Sequence, residues 1–455
     1  MKFLSSRAET EPCGFSEAVR IGLAPDGGLF VPSELPDLSL EIPSWAGEPY
    51  SKVCHRFFRH FATDIDDSEL ESLIAKAYSK FDDKGLAPII DLDDRISVLE
   101  LFHGPTLAFK DYALQLLGRF YERQVALSGE SINVLGATSG DTGAAAINGL
   151  IGRSGVNIFI LYPDGRISSL QERQMTCTGE SNVFPIAVEG SFDDAQRELK
   201  AVFGDRAFSE RIKLSAVNSI NLARILAQCV YYIYAWLQIS ESLRERTVFV
   251  VPTGNFGNVL AGWLASRMGM KVAGFRVATN RNDILNRFFN TGEYSVGTAS
   301  QSLAPSMDIQ VASNFERFLY YVLGEDGDQV RLVMEDFKST GVFKADDRSI
   351  VDNMSSSRMT DGEIRETIRS VYQKYGYVCD PHTACAFKGL DAFDHCVVLA
   401  TAHPAKFPET VLEATGQTVI HPSLEALKSR KIVRYPLHVD ANTIKAFIES
   451  KQNTP

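Results

Sequence analysis

Cysteine is scarce and unpatterned in this sequence: seven residues among 455, at positions 13, 54, 177, 229, 379, 385 and 396, with no CxxC pair. An odd, scattered set supports neither a disulfide framework nor a zinc cage and fits a reducing compartment. Histidine is also rare, eight in all, and HExxH is absent. His55 and His60 lie in an apolar, helix-like run where a core or surface role is the simpler reading, so no metal is expected. Excess positive charge is missing as well, since 57 acidic residues outnumber 46 basic ones for a net charge of −11. Neither nucleic acid nor an anionic membrane is therefore an expected partner, although a local basic pocket for a small anion stays open. The most apolar long stretch, Leu222 to Ile239, is interrupted by Arg224, Gln228 and Gln238 and is too polar to span a bilayer. The opening MKFLSSRAETEPCGF lacks the sustained apolar segment of a secretory signal. The expected location is the cytoplasm.

What is present is ordinary globular composition, 45% hydrophobic and 23% charged. At about 150 residues per domain, the length allows roughly three cores, or one large core with an attached piece. No repeat, low-complexity tract or clean linker cuts the chain, so boundaries come from changes of pattern. Residues 1 to about 95 read as loops and short helices, with an acidic stretch, Asp64 to Glu71, best taken as a solvated helix face. From about residue 96 the pattern alternates. Short apolar runs at Ile132–Leu135, Val156–Leu161, Thr247–Val251, Val272–Ala278 and Cys396–Ala400 are separated by helix-like stretches. Runs that are apolar at nearly every position predict parallel strands buried on both faces and covered by helices. In such folds ligands gather at the carboxyl ends of the strands.

Two loops there share one design of strand, small-residue turn and helix: Gly136-Ala-Thr-Ser-Gly-Asp-Thr-Gly143 and Thr253-Gly-Asn-Phe-Gly-Asn258. Their glycines admit close approach and positive φ, and each helix start leaves backbone N–H groups free for an anion. Neither is a GxxxxGK[ST] or GxGxxG motif. A tight strand-to-helix turn needs glycine for structural reasons alone, but two in one chain suggest two anionic groups, one on a cofactor and one on a substrate.

Lys110 lies among apolar residues in Leu101-Phe-His-Gly-Pro-Thr-Leu-Ala-Phe-Lys-Asp111, at the head of the helix-like run Tyr112 to Arg123. Apolar burial and a helix N-terminus both disfavour an ammonium and leave a more nucleophilic amine, as a Schiff-base lysine requires; neighbouring Asp111 opposes that shift. Asp380-Pro-His-Thr-Ala384 and Thr401-Ala-His-Pro-Ala-Lys-Phe407 set polar side chains beside proline-fixed turns and read slightly better as satisfied loops than as site residues.

LFHGPTLAFKD, GATSGDTGAAA, LYPDGRISSLQ, NSINLARILAQCVYY, VPTGNFGN, the run Ser302 to Asn314 containing SMDIQVASN, DPHTA and TAHPAKF occur in that order. Together with the opening FSEAVRIGLAPDGGLFVP they resemble threonine synthase in its longer bacterial and fungal branch, over nearly the whole chain. The resemblance implies an α/β fold of type II among pyridoxal 5′-phosphate (PLP) enzymes, similar to the tryptophan synthase β subunit. Its organisation would be an N-terminal threonine-synthase region over 1–95 and a catalytic region over 96–455. A smaller α/β domain, approximately 125–235, would be inserted in the larger one.

Carried over residue by residue, the resemblance makes Lys110 the catalytic lysine that holds PLP. Thr253, Gly254, Asn255, Phe256, Gly257 and Asn258 would cradle the PLP phosphate, and Thr401 would meet the pyridine nitrogen. Thr138, Ser139, Gly140, Asp141 and Thr142 would hold the substrate carboxylate and the cofactor face, and Arg166, Ser168, Asn218 and Arg224 the substrate phosphate. Many fold-type II relatives have Asn where Asp141 stands, and a carboxylate beside the PLP hydroxyl needs another donor nearby. The implied reaction is that of a carbon–oxygen lyase acting on phosphates. O-phospho-L-homoserine and water give L-threonine and phosphate, the last step of threonine biosynthesis, in a monomer or homodimer. The rival readings are a threonine-synthase-like phospholyase that releases a 2-oxo acid from a phosphorylated hydroxyamino acid, and a non-catalytic paralogue that binds PLP or a metabolite.

Overall fold

Apolar runs without alternation, such as TVFVVP at Thr247–Pro252 and HCVVLA at His395–Ala400, can only be satisfied between two layers of helices, and both strands are buried at every residue. In the computed structural model, which describes residues 1–83, 85–138, 140–217, 219–345 and 353–452, they lie side by side at the centre of a six-stranded sheet. Its order is Met354–Arg358, Gly274–Thr279, Thr247–Pro252, His395–Ala400, Ile96–Glu100 and Ile89–Asp91. All neighbours are parallel except the edge strand Ile89–Asp91, which pairs antiparallel with Ile96–Glu100. Cys396 faces Ile96 on one side and Val248 on the other, a register that brings the carboxyl ends of three strands to one rim.

A second, wholly parallel sheet has five strands in the order Tyr435–Leu437, Val183–Val188, Val156–Pro163, Ile132–Ala137 and Leu214–Ala216. Its separate core joins Phe159, Phe184 and Ile186 to Ile444 and Ile448 of the C-terminal helix Ala441–Gln452. The unit expected over about 125–235 thus takes an edge strand and a covering helix from the C-terminal end of the chain. Helix Leu222–Gln238, inside the expected span, packs instead on helices Lys110–Ser128 and Gly257–Arg267.

The N-terminal region braces the helix that begins at Lys110. Helices Phe15–Ile21, Tyr50–Phe58 and Asp67–Tyr78 present aromatic side chains to it: Phe15 meets Phe120 edge-on at 5.1 Å between ring centroids, and Tyr50 meets Tyr112 at 5.7 Å. Each such pair adds about 0.5–1.5 kcal/mol beyond the burial of its area. The Tyr78 hydroxyl also donates to the Tyr112 carbonyl at 3.1 Å, so the first turns of the Lys110 helix are held from behind.

Candidate active site

Lys110 is the first residue of its helix, and the segment before it is laid against the end of the central strand. Phe109 N–H donates to the Thr401 carbonyl at 2.9 Å, His403 N–H donates to the Leu107 carbonyl at 3.0 Å, and Ala108 and Ala402 form an antiparallel bridge. The TAHPAKF loop therefore fixes where the lysine emerges. Burial outweighs the opposing pull of Asp141 and pushes the Lys110 ammonium down to about 8. Asp111 does oppose this shift, weakly. Its buried carboxyl is pushed up to about 6 and closes the preceding turn by accepting from Thr106 N–H at 2.8 Å and from the Thr106 hydroxyl at 2.7 Å.

Around Lys110 Nζ runs a polar chain that links distant parts of the sequence. Nζ donates to Ser306 Oγ at 3.3 Å, and Ser306 Oγ donates to Asp141 Oδ2 at 3.0 Å. Lys406 Nζ lies 2.8 Å from Asp141 Oδ1 and donates to the Thr106 carbonyl at 3.0 Å. Burial alone would raise the Asp141 carboxyl, but Lys406 and Lys110 hold it well below the usual carboxylate range. Ser306 is oriented from the other side: its N–H donates to His382 Nε2 at 3.1 Å, and His382 Nδ1 meets Asp380 Oδ2 at 2.7 Å. The ring thus carries its proton on Nδ1. Asp380 also caps helix Pro381–Cys385, accepting from the N–H groups of His382 and Thr383.

The loop Thr253–Asn258 forms the opposite wall of the cleft. A Cβ on Gly254 would stand 3.0 Å from the Ser306 carbonyl oxygen and 3.1 Å from Met307 Cα, so only glycine lets the two backbones approach. One on Gly257 would meet Asn314 Nδ2 at 3.1 Å. Neither glycine has positive φ; the left-handed residue is Phe256, at 63°, immediately before helix Gly257–Arg267. Of the two uses expected of these glycines, close approach is what the structure shows, and positive φ is corrected. Asn258 Oδ1 accepts from the hydroxyls of Tyr231 and Tyr232, which leaves the buried Asn258 Nδ2 without a partner among the described residues. Arg224 is 4% exposed, and its Nε and one terminal nitrogen likewise have no acceptor. Burial pushes its guanidinium down to about 10. Unpaired donors buried in a polar cleft are costly and point to an anion that completes them.

One cleft is lined by Lys110, Asp141, Thr142, Arg224, Thr253, Gly254, Asn255, Phe256, Gly257, Asn258 and Thr401. Ser219, Gln228, Ser306 and His382 complete the polar part of its wall, beside Met307. Thr138 and Gly140 shape the loop behind Asp141: Thr138 Oγ1 accepts from Gly140 N–H at 3.1 Å and Gly143 N–H at 3.0 Å. Arg166 and Ser168 are not brought to this cleft. Both are exposed, and the Ser168 hydroxyl caps helix Ser169–Thr176 in a reciprocal pair with Gln171. Ser139 and Asn218 lie outside the described residues. Ser306, Lys406, His382 and Asp380 were missing from the expected site, although DPHTA, TAHPAKF and the run around Ser306 were each visible as motifs.

The residues fit a ligand that carries a carbonyl and a phosphate: a buried amine faces a glycine-cleared loop, a helix N-terminus and an unpaired amide donor. Comparison with known proteins leads the same way. A family profile described as threonine synthase N terminus matches residues 2–78, one described as pyridoxal-phosphate dependent enzyme matches 87–399, and one described as threonine synthase, C-terminal, matches 383–448. A threonine synthase of Pseudomonas aeruginosa is 45% identical over 430 residues, covering 91% of this chain and 90% of that one. The crystal structure of PLP-bound threonine synthase from Brucella melitensis superposes with a TM-score of 0.95 at 42% identity, over 100% of both chains. Threonine synthase from yeast superposes with a TM-score of 0.93 at 37% identity, over 99% of this chain and 98% of that one.

Proposed function

The chain belongs to the threonine synthase family of PLP-dependent enzymes, and on that premise we propose that it converts O-phospho-L-homoserine and water to L-threonine and phosphate with Lys110 as the catalytic base. The observation that carries this reading is the buried Lys110 amine facing the Thr253–Asn258 loop across a single cleft. When bound, PLP supplies a carbonyl for an amine and an electron-withdrawing ring that makes the protons of the substrate chain removable.

The chain's own residues do the rest. The backbone of Thr253–Asn258, the first turn of helix Gly257–Arg267 and Asn258 Nδ2 would hold the cofactor phosphate. Thr401 would meet the ring nitrogen with a hydroxyl, which holds a proton there less firmly than a carboxylate would. That suits a reaction in which protons must move along the substrate chain. Lys110 Nζ takes the proton from Cα and then from Cβ of the substrate, and with a pKa near 8 it can hold and return a proton near neutral pH. Phosphate leaves Cγ, which gains a proton, and water delivers its oxygen to Cβ. The turn that holds Thr138, Gly140, Asp141 and Thr142 receives the substrate carboxylate. Arg224 meets the departing phosphate, where negative charge grows in the transition state.

Seven free, buried cysteines support a reducing, cytoplasmic setting. Among the described residues no helix is long and apolar enough to cross a membrane. The test is incubation with O-phospho-L-homoserine, measuring phosphate and threonine together. Equal amounts of both are expected, whereas phosphate with a 2-oxo acid in place of threonine would move the chain to the phospholyases.

A further inference from the structure

Asp141 is a carboxylate with 4% exposure at the first position of helix Asp141–Leu150, and two lysines reach different oxygens of it. Lys406 Nζ holds Oδ1 at 2.8 Å, whereas Lys110 Nζ stands 3.9 Å from Oδ2, which is already occupied by the Ser306 hydroxyl at 3.0 Å. Lys406 is the more enclosed of the two, with 1% of its side chain exposed against 10% for Lys110. It is anchored a second time on the Thr106 carbonyl, in the turn that Asp111 closes just before Lys110. We propose that Lys406 is a positioning residue: its ammonium is the standing counter-ion of Asp141, and by occupying that carboxylate it leaves Lys110 free to stand as the uncharged nitrogen.

Asp111 is taken up by the Thr106 N–H and hydroxyl, so the two ammonium groups compete for Asp141, and the one with the poorer contact gives up its proton more readily. The groups facing Lys110 agree with this. Asp141 and Asp111 favour its charged form, Lys406 and Arg224 disfavour it, and burial adds to the latter side. His382, whose Nε2 accepts from Ser306 N–H, is the other titratable side chain near Asp141. Lys406 thus gives the Asp141 carboxylate a cationic partner at 2.8 Å.

The inference rests on Lys110 being the cofactor lysine, and its test separates the two. In the holoenzyme, the pH at which the visible absorption band of the bound cofactor titrates reports protonation of the Lys110 nitrogen. Removing the competing cation in Lys406→Met should raise that midpoint by about one unit or more, a tenfold change in proton concentration. Lys406→Arg keeps the charge and should stay near the parent value, while Asp141→Asn removes the anion, leaves Lys406 and should lower it. A passive packing role for Lys406 would not move two variants in opposite directions. An unchanged midpoint in Lys406→Met, or an equal shift in Lys406→Arg, overturns the proposal; if Lys406→Met does not fold, failure of Asp141→Asn to lower the midpoint overturns it. Borohydride reduction and peptide mapping check the premise independently, since a pyridoxyl label on any residue other than Lys110 sinks the cofactor-lysine reading instead.

Discussion

The phenol of Tyr232 donates to Asn258 Oδ1 at 2.8 Å and so helps decide which end of that amide faces the cleft. Tyr231 contacts the same oxygen at 2.6 Å, which turns Nδ2 inward. If this orientation serves the cofactor phosphate, the double change Tyr231→Phe and Tyr232→Phe should weaken PLP binding while leaving ring packing intact. Leaving one buried acceptor unsatisfied costs about 1–3 kcal/mol, or roughly 5- to 150-fold in affinity. Equilibrium titration of resolved enzyme with PLP measures it, and an unchanged dissociation constant would remove the tyrosines from the site.

Space governs the second prediction. A side chain on Gly254 runs into the backbone of Ser306 and Met307, which cannot move without shifting the hydroxyl beside Lys110. The Gly257 neighbours are side-chain atoms of Asn314 and Ile225, which can give way. Gly254→Ala should therefore lower PLP affinity more than Gly257→Ala. The reverse order in a PLP titration would show that the backbone approach at Gly254 is not what matters.

The buried lysine has a cost that depends on pH. Its pKa falls from the ordinary 10.5 to about 8 on folding, so between those values the unfolded chain binds more protons and stability rises with pH. The penalty is complete below pH 8 and gone above 10.5. In cofactor-free protein, Lys110→Met should be the more stable form at pH 7 by up to about 3 kcal/mol, and the gap should close as the pH rises through that window. Thermal or urea unfolding at pH 7 and pH 10.5 compares the two. A gap that persists at high pH would mean that packing, and not charge, separates them.

Some of this was legible in the sequence and some was not, for physical reasons. Ile132–Ala137, Val156–Pro163, Thr247–Pro252 and His395–Ala400 are predominantly apolar with no alternation, so their burial on two faces is written locally. Met354–Arg358 reads MSSSR and carries no such signal; its strand exists because Phe275–Thr279 offers a free edge. Tyr435–Leu437 contains Pro436, which an edge position tolerates, and it pairs with residues some 250 positions earlier. Within the site, Lys110 and the two small-residue loops stand out because each needs an unusual local composition. Ser306 and Lys406 acquire their meaning only where they converge on Asp141, 165 residues from Ser306 and further still from Lys406. No local pattern announces that meeting.

Arg224 gives the prediction that separates the two phosphates. It lies one residue before Ile225, whose side chain touches the Gly257 position, and yet its own Nε and one terminal nitrogen find no acceptor. If the cofactor phosphate takes the glycine-cleared loop, the helix N-terminus and Asn258, the unpaired guanidinium is left for the group that arrives and departs with the substrate. Arg224→Ala should then keep PLP bound with a normal spectrum while kcat/KM for O-phospho-L-homoserine falls. Losing a charge-assisted contact to a buried partner costs about 2–5 kcal/mol, which is roughly thirtyfold to several thousandfold in that constant. Arg224→Lys should recover only part, because lysine keeps the charge without the two-pronged geometry. Binding of an amino acid without a phosphate should change little in either variant. PLP content and steady-state kinetics measured on the same preparations decide the matter. Loss of PLP in Arg224→Ala would assign the arginine to the cofactor, and unchanged kinetics with PLP retained would remove it from the substrate site.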